Sequence, residues 1–448
     1  VKDSGMKLFN DLVLKFELPD WSKNPELGLI DTILEKRPEL LSLLKGDVIS
    51  GSKASDFGRK DTPTVEQVIR AATFKEFKSL TYRELEYSQS DSRICAVFIK
   101  LDERKPYSFQ VWQKYISKIK QGSLQKFLVA LNQIAIQEGL EDLSAIRTDG
   151  TVIEANIHYP TNNSLTWDCI KEAHRLLAHL TKKEDIKVRD YRKGAKSNYF
   201  KINNTKGDRR TTLFKKQLVL FIKSIKQVDK FVKKKDYTSF ESLGFVIALQ
   251  KLQPLMEQVY SMTERKQIKG EKVPNDQKLF SIYELHTDII VKGSRQVLFG
   301  HKVNLVDGKA KLILDCQILK GNPADTNLFN DAIERVKENY GQTPKSVAAD
   351  GGYASKLNQK KALGQGLANV VFNKVVGSMQ NIASSKNMQT RLRKWRSGIE
   401  STISNLKRGF NISRCNWKGW ANFQSKVLWS VIAYNIRAMT GLVIAKME

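Results

Sequence analysis

Leu143-Ser-Ala-Ile-Arg-Thr-Asp149-Gly-Thr-Val-Ile-Glu-Ala-Asn-Ile157 is where this chain changes its period. Before it, apolar residues recur at helical spacing. Here β-branched residues flank an acid, and the pattern predicts a strand with Asp149 on or beside it. Downstream, residues 161 to 280 return to a helical and strongly basic pattern. Strand character resumes at Gln296-Val-Leu-Phe-Gly-His-Lys-Val-Asn-Leu-Val306, followed by Asp307-Gly308 and then Lys311-Leu-Ile-Leu-Asp-Cys-Gln-Ile-Leu319. An Asp-Gly pair between apolar runs reads as a two-residue hairpin turn. A helix over about 325–339 follows, with Asp325 as its cap, then a strand ending at Asp350, a helix to about 364 and the strand Asn369-Val-Val-Phe372. The last elements are helical, one carrying Glu400 and one over about 421–439. Strands alternating with helices around a long insertion predict an α/β fold with a mixed sheet.

Working back from Leu143, residues 61–140 read as a helical domain. Pro63 suits a first helical turn, and Val65, Val68, Ile69 and Ala72 follow at helical spacing. Thr81 and Glu84 form a capping box, and Phe109, Trp112, Ile116 and Ile119 share a face after Ser108. Several short helices in a basic chain fit a DNA-binding domain with helix-turn-helix character; a helical packing module is the alternative. Residues 1–60 read as an N-terminal arm with a short helix. The chain thus divides into that arm, the helical domain, a catalytic domain over 141–160 and 281–448, and an insertion domain over 161–280.

The 448 residues carry 75 Lys and Arg against 47 Asp and Glu, a formal charge of +28. Such an excess calls for a polyanionic partner, and double-stranded DNA leads. Residues 181–280 alone hold 25 Lys and Arg against 11 Asp and Glu. Any single Lys run is usually a solvated face, but a whole helical segment so biased fits a backbone-phosphate surface. No apolar run of about 18 residues and no lipidation motif is visible, so no membrane partner is expected. Cys95, Cys169, Cys316 and Cys415 are widely separated and form no Cys-x-x-Cys pair, which fits a reducing cytoplasm and argues against a zinc site.

Three acids stand in distinctive contexts: Asp149 in Arg-Thr-Asp-Gly-Thr, Asp350 in Val-Ala-Ala-Asp-Gly-Gly-Tyr, and Glu400 in Arg-Lys-Trp-Arg-Ser-Gly-Ile-Glu. A lone Asp at a strand end is usually a turn or a cap. Together, three acids from separate segments can hold two hard divalent cations, Mg²⁺ or Mn²⁺, and so serve in-line phosphoryl transfer.

Asp149-Gly-Thr-Val-Ile-Glu-Ala-Asn-Ile-His158-Tyr-Pro-Thr, Ala349-Asp350-Gly-Gly-Tyr353 and Arg396-Ser-Gly-Ile-Glu400-Ser-Thr-Ile-Ser-Asn-Leu-Lys407 resemble, in this order, the DDE transposases of bacterial insertion sequences, and the ISNCY-type group among them. Thr81-Tyr-Arg-Glu-Leu-Glu-Tyr resembles their N-terminal helical region. The resemblance implies an RNase H-like catalytic core with Asp149, Asp350 and Glu400 as ligands of two metal ions, acting on terminal inverted repeats. Related transposases carry a Tyr-Arg-Glu-Lys signature. Arg396, Glu400 and Lys407 match its spacing, while Arg393 stands at the Tyr position.

On one continuous helix, positions 393, 396, 400, 403 and 407 share a side, so Arg396 and Lys407 are expected to grip phosphates beside Glu400. Lys302 is a second candidate DNA contact. His158 and Asn156 are placed to orient Asp149 or touch a strand end, with core or capping roles as the alternative. Tyr353 is expected either to stack on an unpaired base or to pack beneath the Asp350 loop. The expected activity is cleavage at transposon ends and joining to target DNA by a homodimer or larger assembly. An RNase H-like endonuclease without strand transfer and a non-catalytic domesticated DNA-binding protein are the rivals.

Overall fold

The computed structural model describes residues 23–50, 62–101, 106–184, 187–234, 236–237, 239–292 and 296–447. Pro19 and the polar 51–56 stretch lie outside the described residues.

Among the described residues, seven helices precede the first strand: α1 (Pro25–Lys36), α2 (Glu39–Ile49), α3 (Val65–Phe77), α4 (Tyr82–Asp91), α5 (Arg93–Phe98), α6 (Phe109–Ile116) and α7 (Gln121–Gln137). The N-terminal segment differs from the expected arm with one short helix. It forms two helices whose Leu27, Ile30, Leu34, Leu40 and Leu44 are buried in the main core. Pro63 falls before the helix rather than in its first turn, because Thr64 takes the cap and closes a capping box with Gln67. The capping box of Thr81 and Glu84 is present as expected. Glu76 of α3 is fully buried between Lys75 and Lys426, which ties this region to the C-terminal helix by charge as well as packing.

Strand β1 (Ala145–Ala155) then enters the sheet and leads into the four helices α8 (Asn162–Glu184), α9 (Arg192–Asn203), α10 (Asp208–Lys233) and α11 (Phe240–Gln267). These helices close around a core of their own, with Leu177, Phe221, Leu249 and Met256 at its centre. On α10 the apolar Phe214, Leu218, Phe221 and Val228 turn inward while Lys215, Lys216, Lys223, Lys226 and Lys230 are exposed. The basic excess of this segment is therefore a surface property.

The chain returns through β2 (Asp288–Lys292), β3 (Gln296–Asp307) and β4 (Ile313–Ile318), then α12 (Phe329–Tyr340), β5 (Ser346–Ala349), α13 (Lys356–Gly364) and β6 (Asn369–Phe372). It ends with α14 (Lys386–Arg396), α15 (Gly398–Gly409), β7 (Arg414–Cys415) and α16 (Trp420–Met447). The result is a seven-stranded mixed sheet. Its path runs β2-β3-β1-β5-β6, with β4 also on β3 and β7 on the end of β1. β3 pairs antiparallel with β1 and β4, whereas β5 and β6 continue parallel to β1.

One face of the sheet, with Ile153, Val303 and Leu305, packs on α16. The other, with Ile146 and Val306, packs on α12 and α13. The helix α16 is long and apolar enough to cross a membrane by length and composition, with mean hydropathy 1.5, although no comparable run was expected from the sequence. Two-thirds of that apolar window is buried inside the protein, as suits a core helix.

The β3-β4 connection is not the two-residue turn expected from Asp307-Gly308. It spans residues 308–312, closed by Gly308 N–H to Leu312 O, with Lys311 at φ 64°. Asp307 cannot serve as a solvated turn residue because it is buried against Arg147. Gly308 lies where any Cβ would stand 2.3 Å from the Glu141 carboxylate, which accepts the Lys309 and Ala310 amide protons instead.

Candidate active site

The register of two strands places the two aspartates. β1 and β5 run parallel with Thr148 opposite Ala349, so the next residues, Asp149 and Asp350, emerge side by side from adjacent strands. Asp350 ends its strand in extended conformation and opens a short 3-10 turn through Gly351-Gly352-Tyr353. Glu400 arrives from α15, in its first turn.

A buried ion-pair network docks that helix. Arg147, two residues before Asp149 and on the same face, donates from Nε and Nη2 to Asp307 at 2.6 and 2.9 Å and from Nη1 to the Trp395 carbonyl at 2.6 Å. Asp307 also accepts from Thr402 of α15 at 2.7 Å. Any Cβ at residue 398 would stand 2.2 Å from the Arg147 guanidinium, so only glycine admits this contact.

The three acids converge on one cation, Arg396. Its Nη1 lies 2.7 Å from Glu400 Oε1, and its Nη2 lies 2.7 Å from Asp149 Oδ2 and 3.7 Å from Asp350 Oδ1. This corrects the expected placement of Arg396. The helix is interrupted at Ser397, α14 and α15 are separate, and the buried Arg396 side chain points among the acids rather than outward to phosphate. Among the described residues Arg396 Nε has no hydrogen-bond partner. Asp149 Oδ1 accepts from the Gly150 amide at 2.7 Å. Burial pushes the Asp149 carboxyl up to about 6, against the opposing pull of Arg396 and the Gly150 amide, and the neighbouring Asp350 and Asp325 add to the rise.

Around these groups lies a cleft of about 860 Å³, lined by Asp149, Gly150, Thr151, Asp350, Arg396, Glu400 and the Asn373-Lys374-Val375-Val376 segment after β6. Among the described residues no three His, Cys, Asp or Glu side chains already form a metal-ion cluster, because the guanidinium separates the acids. The donor set nevertheless fits a hard divalent cation. All donors are carboxylate oxygens, they already surround a positive charge, and that single charge leaves Asp149 with a raised pKa.

Of the other expected site residues, Tyr353 takes the packing role of its two expected ones, not the base-stacking one. It is fully buried with its hydroxyl on Asn304 Oδ1 at 2.5 Å, so it packs beneath the Asp350 loop and presents no face to a base. Lys302 is tied to Asp325 at 2.6 Å and to the Pro323 carbonyl at 2.7 Å. His158 lies 3.2 Å from Asp168 on α8, so its partner belongs to the insertion and not to Asp149. Arg393 is exposed and reaches the Asn373 carbonyl at 3.4 Å, on the segment that lines the cleft. Lys407 lies in the last turn of α15, half-buried.

Sequence reasoning missed two features. Arg147 and Asp307 lock α15, and their only sequence signal was a charge at each end of a predicted strand pair. Asp325 does not cap a helix: the 3-10 turn it opens makes no side-chain cap bond, and its carboxylate is against Lys302.

Residues 290–436 match the family model of the transposase DDE domain. Over this stretch the chain is similar to the DDE transposase family. The transposase DDE domain match begins in β2 and ends in α16, about a third of the sequence, and it includes Asp350, Arg396 and Glu400. Asp149 precedes it and joins through the sheet. No curated protein and no solved structure matches the chain.

Proposed function

We propose that the chain is a metal-dependent DNA transposase of the ISNCY type, with an RNase H-like core in which Asp149, Asp350 and Glu400 hold two Mg²⁺ or Mn²⁺ ions. The observation that carries the reading is the convergence of three acids, from β1, the end of β5 and α15, on one buried cation in an open cleft. The mixed sheet order, an antiparallel run continued by parallel strands, supports the core assignment.

Two such ions, held by Asp149, Asp350 and Glu400, would supply charge neutralisation at the phosphoryl oxygens and activation of the attacking oxygen. The chain's own residues do the positioning. Parallel register fixes Asp149 beside Asp350, and the Arg147–Asp307–Thr402 network holds Glu400 opposite them. Gly150, Gly351 and Gly352 line the cleft beside the carboxylates. Lys374, which lines the cleft, and Arg393, beside its Asn373 rim, offer further phosphate contacts, and Lys407 lies in the last turn of the Glu400 helix.

DNA is held by the exposed lysines of α10 and by the N-terminal helices, and a homodimer on DNA brings two ends together in the bacterial nucleoid. The test is incubation of purified protein with an end-containing duplex and Mg²⁺ or Mn²⁺. Nicking at the end followed by joining to a second duplex supports the reading. Cleavage without joining makes the protein a nuclease, and binding without either makes it a DNA-binding protein only.

A further inference from the structure

Two buried arginines lie beside the three acids, and they are held differently. Arg147 uses all three guanidinium nitrogens, two on Asp307 and one on the Trp395 carbonyl. Arg396, the next residue after Trp395, uses two, on Glu400 Oε1 and Asp149 Oδ2, and among the described residues its Nε has no partner. A buried donor left unpaired is costly. Arg396 is therefore not locked in place by a complete set of hydrogen bonds, as Arg147 is.

Their electrostatic settings differ as well. Arg147 and Asp307 form a sealed pair, one charge against one, with both side chains almost wholly buried. Arg396 touches three carboxylates, with Asp350 Oδ1 at 3.7 Å, and lines the 860 Å³ cleft together with them. Its side chain is 8% exposed, whereas those of Asp350 and Glu400 are 46% and 62% exposed. The cation is covered while two of its acids stay open to solvent. One positive charge thus serves three acidic groups, and the same oxygens remain within reach of a second cation arriving through the cleft.

Resting on the proposed cation site, we propose that Arg396 is its resident counter-ion. Without metal, the guanidinium holds the three carboxylates together, and a divalent cation binds by competing with it for the same oxygens. Arg396 therefore lowers the affinity of the DNA-free protein for metal. It is a positioning residue for the acids, neither a metal ligand nor a catalytic group: Arg147 fixes the helix that carries Glu400, and Arg396 sets how strongly the acids attract a cation.

The experiment is Mn²⁺ binding to the full chain without DNA, read by calorimetry and by the electron paramagnetic resonance signal of free Mn²⁺. Arg396→Gln removes the charge and is expected to bind Mn²⁺ about tenfold or more tightly than wild type. Arg396→Lys keeps the charge and is expected to stay within about threefold of wild type. An affinity in Arg396→Gln equal to wild type or weaker overturns the inference, because a guanidinium that merely braces the site does not compete with metal. The wild-type chain gives a second readout. The Nη–H magnetic resonance signals of Arg396, identified by their loss in Arg396→Lys, are expected to be resolved while the guanidinium is clamped and to average into one at saturating Mg²⁺. Signals that stay resolved overturn the inference too. Asp350→Asn in the Arg396→Gln chain separates the two levels. If it binds Mn²⁺ as tightly as Arg396→Gln alone, the ions sit elsewhere and the cation site itself is misassigned; if it binds more weakly, the site stands and the Arg396 results decide.

Discussion

Asp149 is the residue with most at stake. Its carboxyl is raised to about 6 because burial disfavours the ionised form more than Arg396 and the Gly150 amide favour it. An acid whose folded pKa exceeds its unfolded value binds its proton more tightly in the folded state. Stability is therefore greatest below the unfolded pKa of about 4, falls as pH rises through about 6, and stays reduced above. Asp149→Asn should accordingly be more resistant to urea than wild type at alkaline pH without metal, by about 1–2 kcal/mol, with the difference vanishing near pH 4. An unchanged or lower midpoint at alkaline pH would contradict the burial argument. The same carboxyl should make Mn²⁺ affinity increase as pH rises through about 6, since the protonated form is a poor ligand. Asp149 was readable beforehand because β-branched neighbours and the following glycine set it apart. Arg396 was readable as important but not in its direction. That depends on the break at Ser397, where the Ser397-Gly398 pair is the sequence signal for two helices rather than one, overlooked when positions 393 to 407 are read at a single helical spacing.

At the scale of elements, the position of Glu400 depends on how α15 docks, and α15 docks through a buried charge network. Removing Arg147 as Arg147→Met leaves Asp307 buried without its counter-ion, at a cost of about 3–5 kcal/mol by chemical denaturation. Gly398→Ala is expected to cost about 1–3 kcal/mol, because its methyl group collides with the guanidinium. It should also lower the cleavage rate more than DNA affinity, by moving Glu400. Equal losses in rate and affinity, or none, would show that the docking is not what places Glu400. The strands and their order of appearance were legible from period and β-branched runs. The Asp307-Gly308 connection was not, because its turn chemistry is overridden by a tertiary contact 160 residues away in sequence. The same holds for Asp325, whose place before an apolar helix looks like a cap until the Lys302 strand is beside it.

Across the whole molecule, charge and catalysis are separated. The acids lie in the cleft at the parallel strand ends, whereas the basic excess is concentrated on the insertion helices, which have their own core. Composition made that division visible in advance, since residues 181–280 carry about half the net charge. DNA affinity should fall steeply and linearly with log salt, and replacing Lys215, Lys216, Lys223 and Lys226 by Gln should reduce the slope by roughly 3 to 4. A flat salt response would remove α10 from the DNA surface. The measurement that tests the central claim most directly is strand cleavage and joining of an end-containing duplex with Mn²⁺ by wild type, Asp350→Asn and Glu400→Gln. Wild type should nick and join, while each variant binds the duplex as tightly yet loses both reactions by about 100-fold or more. Undiminished cleavage by either variant would contradict the three-acid site.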